Sequence, residues 1–245
     1  MLTSFQSLLL LWTKCYVMLV FTYLLLGWGV IYFNRILGPD KKIQSRESSQ
    51  QATTRDFWQS IKSLISVSLM LAGGLYCQKV GLTLLPIKLT VFNTIPLLLI
   101  SMVVFDTWFY WGHRLVHTKS LYKWVHKWHH QSSTPTVWSN NSDTFLDNCF
   151  LQSYFLFAPF FLPISGYILV AHKLYDQITG MIGHSGYEYS AGQLSRFPSP
   201  LVGVSFHDLH HETFHYNYAT HFSYWDRIMN TMHPDYDEKI KTFEQ

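Results

Sequence analysis

The chain of 245 residues is 48% hydrophobic and only 13% charged, and its formal net charge is +3. Soluble proteins carry about twice that share of charged residues. So small a net charge does not indicate nucleic-acid binding, and the Lys and Arg residues lie beside apolar stretches instead of forming a basic domain. The composition therefore favours a membrane protein with no nucleic-acid partner. The three cysteines, Cys15, Cys77 and Cys149, are far apart, which predicts reduced thiols and no disulfide framework.

Three apolar segments in the first half of the chain predict transmembrane helices. Residues 8–33 form the first segment, in which 15–33 is just long enough to cross about 30 Å of hydrocarbon. Residues 63–86 and 89–111 form the second and third. Residues 38–62 are polar and basic, so the positive-inside rule predicts that this loop is cytoplasmic. The chain then returns to the cytoplasm after the third segment.

The next stretch, residues 113–149, is polar, aromatic and basic, and it contains two histidine clusters. The clusters read His113-x3-His117 and His126-x2-His129-His130. On a helix, residues at i, i+3 and i+4 share one face, so each cluster is expected to present its imidazoles as one convergent group. We predict that this stretch forms a helical cap at the cytoplasmic membrane surface.

An apolar region at residues 150–182 separates these clusters from a third one, His207-x2-His210-His211. Hydropathy alone would accept one long tilted helix here, but that helix would place the third cluster across the membrane from the first two. Prolines and small residues at 159–166 lie where a hairpin needs its turn. Because a bilayer cannot separate the ligands of one metal site, we predict a helical hairpin of residues 145–161 and 164–183.

The three clusters together predict a metal site. Neutral imidazole suits iron, zinc, copper and nickel, and the sequence lacks the cysteine clusters or carboxylate-rich loops of thiolate and calcium sites. The alternative, a patch of protonated surface histidines, would place like charges at mutually repelling spacings. The clusters offer more ligands than one metal ion takes, which predicts two metal ions.

Several strings in the second half of the chain carry a family resemblance. They are Trp108-Phe-Tyr-Trp-Gly-His-Arg-Leu-Val-His117, His126-Lys-Trp-His-His130, His184-Ser-Gly-Tyr-Glu188, His207-Asp-Leu-His-His211, Phe214-His-Tyr-Asn-Tyr-Ala219 and Tyr224-Trp-Asp-Arg-Ile228. In these strings, residues 106–230 resemble the fatty acid hydroxylase/sterol desaturase superfamily, and its sterol-oxidising branch is the most similar. Residues 144–147 read Thr-Phe-Leu-Asp, where the sterol enzymes of this superfamily often show His-Pro-Leu followed by an acid.

The resemblance implies an all-α integral membrane di-iron oxygenase. Such an enzyme uses O2 and two external electrons to hydroxylate, demethylate or desaturate a lipid, here a sterol or a fatty-acyl lipid. The resemblance also adds His184 to the ligands. The expected metal ligands are His113, His117, His126, His129, His130, His184, His207, His210 and His211.

Other side chains are expected around the metal ions. Ligand histidines usually donate their second ring N–H to a carboxylate or a carbonyl, and the candidate acceptors are Asp106, Asp143, Glu188, Asp208 and Asp226. The alternatives are a helix-end salt bridge for Asp106 and local pairing with Arg227 for Asp226. Candidates for a position near the metal ions or the substrate are His215, Asn217, Tyr218 and His221, and simple exposure is the alternative for the two histidines. His172, inside the apolar hairpin, is expected to be a packed or snorkelling residue and not a ligand.

The sequence contains no Gly-rich dinucleotide-binding motif, so electrons are expected from a separate carrier. A cytochrome b5-like or ferredoxin-like donor would dock on the basic face at Lys119, Lys123 and Lys127. Two other classes stay open. A membrane metal transporter would place its ligands near the midplane of its spans. A zinc-dependent membrane hydrolase would use a His-Glu-x-x-His motif, and the string His211-Glu-Thr-Phe-His215, at the end of the third box, has this spacing.

We expect residues 1–245 to form one domain. Its parts are the membrane helices and loop at 1–112, the first two histidine boxes at 113–149, the membrane hairpin at 150–183, and the third box with the cytoplasmic tail at 184–245. The expected location is the endoplasmic reticulum in a eukaryote or the inner membrane in a bacterium, with the histidines on the cytoplasmic side.

Overall fold

The computed structural model describes residues 4–244, which are mainly α-helical and contain two isolated β-bridges but no strands. The helices are α1 Ser4–Leu37, α2 Gln50–Lys79, α3 Thr94–Val116, α4 Lys119–Tyr122, α5 Phe145–Leu151, α6 Tyr154–Phe161, α7 Gly166–Gly183, α8 Val204–Thr213, α9 Tyr224–Ile228 and α10 Tyr236–Lys241. Short 3-10 helices lie at Pro39–Lys41, His129–Gln131, Val137–Ser139 and Gln193–Ser195. The predicted all-α class is confirmed.

Helices α1, α2 and α3 are long and apolar enough to cross a membrane, which confirms the three predicted N-terminal spans. The bounds of the second span, predicted at 63–86, were wrong, because α2 begins at Gln50 and ends at Lys79. Ser49 stabilises the early start, since its hydroxyl accepts a hydrogen bond from the backbone N–H of Ala52.

The polar first half of α2 is helical because it packs against the cap. The hydroxyl of Ser60 donates to the carbonyl of Trp138 at 2.8 Å. The buried carboxylate of Asp56 accepts hydrogen bonds from Ser132 and Ser142. These partners lie far away in the chain, so the local composition predicted a loop where tertiary contacts support a helix.

Helix α3 begins at Thr94, later than the predicted residue 89. The backbone N–H groups of Thr90 and Asn93 each donate to the other's side chain, which fixes a turn before the helix. Residues 80–93 therefore form a non-helical connection between α2 and α3.

The predicted hairpin is present, but its first arm is interrupted. Helices α5 and α6 replace the expected continuous helix at 145–161, with a turn between them. The carbonyl of Phe150, which would accept from Tyr154 in a continuous helix, accepts from the indole N–H of Trp108. Helix α7 returns the chain, so that the ring of His184 lies 5.4 Å from that of His129. The three clusters therefore meet at one end of the helices.

Close packing of α2 against α6 requires a glycine. A Cβ atom at Gly74 would lie 2.1 Å from the carbonyl oxygen of Phe155, so any other residue would push these helices apart. Phe155 also belongs to the main buried apolar cluster, which joins residues of α1, α2, α3, α6 and α7. This cluster holds the helices that position the histidines.

The predicted cap at 113–149 is only partly helical. Residues 123–128 form turns and His129–Gln131 is a 3-10 helix, so the expectation of one helical face for the second box was wrong. The turns result from backbone hydrogen bonds that span different numbers of residues. For example, the N–H groups of His126 and Lys127 donate to the same carbonyl of Tyr122. This local geometry points neighbouring imidazoles in different directions.

Candidate metal centre

The nine expected ligands converge from four parts of the fold. His113 lies in the last turn of α3, His117 directly follows α3, and His184 directly follows α7. The second box lies on the turns of the cap, and the third box lies on α8. Seven of the nine side chains are buried, and His117 and His207 are partly exposed.

The histidines form two groups, each able to hold a metal ion. Site A contains His113, His117, His126, His130 and His210, whereas site B contains His129, His184, His207 and His211. In each site the ligand atoms lie within 4.8 Å of one another. The two sites adjoin, because the ring centroids of His130 and His211 are 4.8 Å apart.

The second and third boxes each divide between the two sites. On α8, His207 and His211 are one helical turn apart and face site B, while His210 faces site A. In the cap, His129 belongs to site B but both other histidines of its box belong to site A. The expectation that each box forms one convergent group therefore holds only for the first box.

Adjacent Nε2 atoms have the spacing of ligands around one ion. In site A the Nε2 atom of His113 lies 3.0 Å from that of His126. In site B the Nε2 atom of His207 lies 3.0 Å from those of His184 and His211. Two metal–nitrogen bonds of about 2.1 Å at right angles would separate their nitrogens by about 3.0 Å.

Hydrogen bonds at the other ring nitrogen determine which tautomer is present. Nδ1 of His113 lies 2.7 Å from the carbonyl oxygen of Tyr218, and Nδ1 of His126 lies 2.7 Å from a carboxylate oxygen of Asp147. Each Nδ1 must carry the proton that it donates, so each Nε2 presents a lone pair. Two lone pairs at 3.0 Å cannot hydrogen-bond to each other, and a cation between them removes the repulsion.

The same arrangement recurs at two more ligands. Nδ1 of His184 donates to the carbonyl of Gly180 at 2.7 Å, and Nδ1 of His210 donates to the carbonyl of Tyr216 at 2.6 Å. In both sites, the ligands with such a partner therefore direct the lone pair of Nε2 inward, towards neighbouring imidazoles. This donor set fits a first-row transition metal such as iron or zinc.

Burial keeps these imidazoles neutral. It lowers the pKa of His184 to about 3 and holds the pKa of His126, His130 and His210 well below its usual range, with neighbouring imidazoles lowering it further. The pKa of His117 is lowered for the same reasons. Neutral imidazole is the form that binds metal ions.

Two carboxylates contact the ligands. Asp143, an expected acceptor, has an oxygen 2.9 Å from Nδ1 of His129. Asp147, which the sequence reasoning did not select, accepts from His126. The available signal was its place in the string Thr-Phe-Leu-Asp after the second box, where sterol enzymes of this superfamily also carry an acid.

The other four expected acceptors have different partners. The carboxylate of Asp106 accepts from the backbone N–H groups of residues 220–222, and that of Asp226 accepts from those of residues 218 and 219. These two carboxylates hold the loop after α8. Within residues 4–244 they form neither the salt bridge nor the local Arg227 pair that were the alternatives. Arg227 pairs instead with Asp237.

Asp208 and Glu188 are also turned away from the histidines. Asp208 accepts from the side-chain amide of Gln44 at 2.8 Å and lies 3.7 Å from Nζ of Lys239. Glu188 accepts from the backbone N–H groups of Ser190 and Ser205. They tie loops to α8, a role that depends on long-range contacts.

The residues expected near the substrate separate into two sets. Tyr218 contacts the metal centre, because its backbone carbonyl accepts a hydrogen bond from Nδ1 of His113. Asn217 is buried and ties the backbone of Phe206 to that of His233, whereas His215 is exposed.

The lysines at 119, 123 and 127, expected at the donor-binding face, are exposed on the cap.

A cavity of about 310 Å³ adjoins both sites. Its lining includes His113 and His126 of site A together with His129, His184 and His207 of site B. Apolar side chains such as Phe109, Leu151 and Phe206 form much of the remaining wall. A volume of this size is typical of small-molecule sites.

His172 does not line this cavity. It is buried, with Nδ1 2.8 Å from the hydroxyl of Ser101, so the packed position expected for it is observed.

The fold and this centre define a helical membrane protein with two adjacent polyhistidine clusters. The fatty acid hydroxylase family model matches residues 98–231, which is more than half of the chain. The chain belongs to this family, as its histidine boxes predicted.

Curated relatives include sterol enzymes. The chain is 34% identical over 141 residues to methylsterol monooxygenase 1 of Rattus norvegicus, a match that covers 57% of the chain and 48% of the relative. It is 31% identical over 155 residues to a putative methylsterol monooxygenase of Dictyostelium discoideum, covering 60% and 57%. It is 32% identical over 139 residues to a Delta(7)-sterol 5(6)-desaturase of Leptosphaeria maculans, covering 56% and 36%. The chain spans about half the length of the curated relatives it matches, and no solved structure matches it.

Proposed function

We propose that this protein is a membrane di-iron oxygenase that uses O2 and external electrons to hydroxylate or desaturate a lipid, either a sterol or a fatty-acyl lipid. The observation that carries this proposal is the pair of adjacent all-imidazole sites beside one cavity. Family membership and the sterol-oxidising relatives support it.

Site A and site B would each hold one iron ion through their inward-facing imidazoles. When bound, two iron ions would deliver the external electrons to O2, and the oxygen activated in this way would supply the oxidising power that breaks an unactivated C–H bond. The chain's own contribution is to hold nine imidazoles in place and, at His113, His126, His184 and His210, to keep the proton on the Nδ1 atom that faces away from the site. The apolar cavity wall excludes water from the reacting carbon.

The metal ions would lie at the membrane boundary and not at the middle of the spans. His113 is in the last turn of α3, and the third box lies on α8, outside the three candidate spans. This position supports an oxygenase over a metal transporter, whose ligands lie near the midplane. A zinc hydrolase would consume no O2, so oxygen uptake distinguishes it from the proposed enzyme.

The proposed test compares iron content and lipid-dependent O2 consumption in wild type and variants purified in detergent. His129→Ala and His210→Ala together remove one ligand from each site, so we expect loss of iron and of O2 consumption. His233→Ala serves as the matched control, because this histidine lies outside both sites. Zinc alone after iron-replete anaerobic growth, or iron that the double variant retains, would contradict the proposal.

We further propose that a cytochrome b5-like or ferredoxin-like carrier supplies the electrons at a cytoplasmic face, in the endoplasmic reticulum or a bacterial inner membrane. The exposed lysines at 119, 123 and 127 offer a basic surface near the centre. Charge reversal of all three should slow reduction by the donor while iron content stays unchanged. Lys88→Glu is the control, since Lys88 precedes the opposite end of α3 and is also exposed.

A further inference from the structure

The cavity beside the metal sites has a second polar feature that the proposed iron chemistry does not use. Asp176 of α7 and His221 of the loop after α8 both line it. Both side chains are buried, with relative exposures of 8% and 6%. Buried polar groups in a largely apolar cavity normally have hydrogen-bond partners.

One oxygen of Asp176 already has a partner. Oδ2 accepts from Nζ of Lys173 at 2.5 Å, and the same ammonium donates to Oε1 of Gln152 at 2.7 Å. The lysine therefore keeps this carboxylate charged and fixes its orientation. The other oxygen, Oδ1, lies 4.0 Å from Nε2 of His221.

His221 is held rigidly while its Nε2 stays without a partner. Its backbone N–H donates to Asp106 at 2.7 Å, and its ring packs against those of Phe105 and Tyr175 at 5.5 and 5.2 Å. Nε2 is buried and makes no hydrogen bond within the described residues 4–244. A fixed, buried and unpartnered nitrogen on a residue that lines a cavity is available to hydrogen-bond to a ligand.

The gap between Oδ1 and Nε2 fits one hydroxyl group. At 4.0 Å these atoms are too far apart to hydrogen-bond to each other. An oxygen about 2.8 Å from both would make an angle of about 90° between them, which a hydroxyl tolerates. That hydroxyl would accept from Nε2–H of His221 and donate to Oδ1 of Asp176. A ketone lacks the proton that the carboxylate needs, and a carboxylate ligand would be repelled.

We propose that Asp176 and His221 bind the hydroxyl group of the lipid substrate, so that the substrate is a lipid alcohol of the sterol type. This inference rests on the proposed function, because the same cavity would hold the lipid that is oxidised. It selects the sterol class over an acyl chain without a hydroxyl group. A bound water molecule is the competing occupant of this gap.

The test is equilibrium binding of tritiated cholestanol and cholestanone to the full-length protein, purified in detergent after iron-replete growth. These two steroids differ at one carbon, which carries a hydroxyl group in cholestanol and a ketone in cholestanone. We expect the alcohol to bind roughly tenfold more tightly to the wild type, and this preference to disappear in His221→Phe. Phenylalanine keeps the ring packing but removes the donor, whereas His221→Gln should restore part of the preference.

His172→Phe is the matched control, because His172 is also buried and its ring lies 5.9 Å from that of His221, but it does not line the cavity. It should retain the preference for the alcohol. Equal affinity of the wild type for both sterols, or a preference that survives in His221→Phe, would overturn the inference and assign the gap to water.

Iron content and lipid-dependent O2 consumption distinguish this failure from failure of the proposed function. Iron-dependent oxidation of a lipid without selective alcohol binding would leave the oxygenase standing and reject the hydroxyl site. Selective alcohol binding by a protein that neither holds iron nor consumes O2 would support the hydroxyl site and reject the oxygenase.

Discussion

Asp147 accepts a hydrogen bond at 2.7 Å from Nδ1 of His126, whose Nε2 faces site A. The acceptor is fixed in turn by Thr144, whose hydroxyl accepts from the backbone N–H of Asp147 and donates to the carbonyl of Val125. One turn of α5 therefore ties a carboxylate to the metal ligand and to the cap that carries it. Such support fixes the ring orientation of a ligand and raises its basicity.

We predict that Asp147→Asn weakens metal binding at site A. An amide accepts less strongly than a carboxylate, so the iron affinity of this site should fall by about 10–100-fold while that of site B changes little. Metal retention during dialysis against a graded chelator measures both sites. Asp143→Asn is the matched variant, because Asp143 lies beside His129 of site B, and equal effects of both variants on one site would contradict the assignment.

The division of the second box leads to a prediction about stoichiometry. His126 and His130 belong to site A, whereas His129 belongs to site B. The double variant His126→Ala, His130→Ala should therefore lose about one metal ion per chain and keep the other, because site B retains all its ligands. The double variant His126→Ala, His129→Ala damages both sites and should lose about two.

Metal analysis by mass spectrometry on protein of known concentration tests this difference. If each box held its own metal ion, both double variants would lose the same single ion. Circular dichroism of each variant checks that the helices remain intact.

Sequence patterns predicted the spans well and made the histidine boxes easy to find, because both depend on local features. Apolar length identifies α1 to α3, and imidazole spacing identifies the three boxes. The assignment of histidines to two sites could not be read in this way. It depends on turns at 123–128, where the expected helical face does not exist.

The carboxylates show more clearly that local sequence patterns do not reveal long-range partners. Asp106 and the loop at 220–222 are separated by more than a hundred residues, yet three backbone N–H groups of that loop converge on one oxygen of Asp106. Nothing near Asp106 in the sequence indicates this partner. An ionisable residue near an apolar span predicts that some partner exists, but the fold determines which one.

Acid should destabilise the metal-free protein. Burial lowers the pKa of His184 to about 3, whereas an unfolded histidine has a pKa of about 6.5. Between these values the unfolded state binds a proton that the folded state excludes, so stability falls as the pH decreases from about 6.5 towards 3. Each such histidine contributes a slope of about 1.4 kcal/mol per pH unit.

Thermal unfolding of the metal-free protein in detergent, between about pH 5 and 8, measures this dependence. His184→Gln removes one of these titrating groups, so its stability should depend less steeply on pH than that of the wild type by about one proton. Identical slopes would mean that His184 titrates normally in the folded protein.

Gly74 should be among the least replaceable residues of the membrane helices. A Cβ atom there would lie 2.1 Å from the backbone oxygen of Phe155, and a backbone carbonyl of α6 cannot move aside as a flexible side chain can. Gly74→Ala should therefore destabilise the protein by about 1–3 kcal/mol, despite the better helix propensity of alanine. Because α6 precedes the turn of the hairpin, this shift should also displace α7 and lower metal retention at His184.

Gly29→Ala is the control. Among the described residues, nothing lies within 4 Å of a Cβ at Gly29, so alanine should leave the unfolding temperature unchanged or raise it. Similar unfolding temperatures for both variants would contradict the tight contact between α2 and α6.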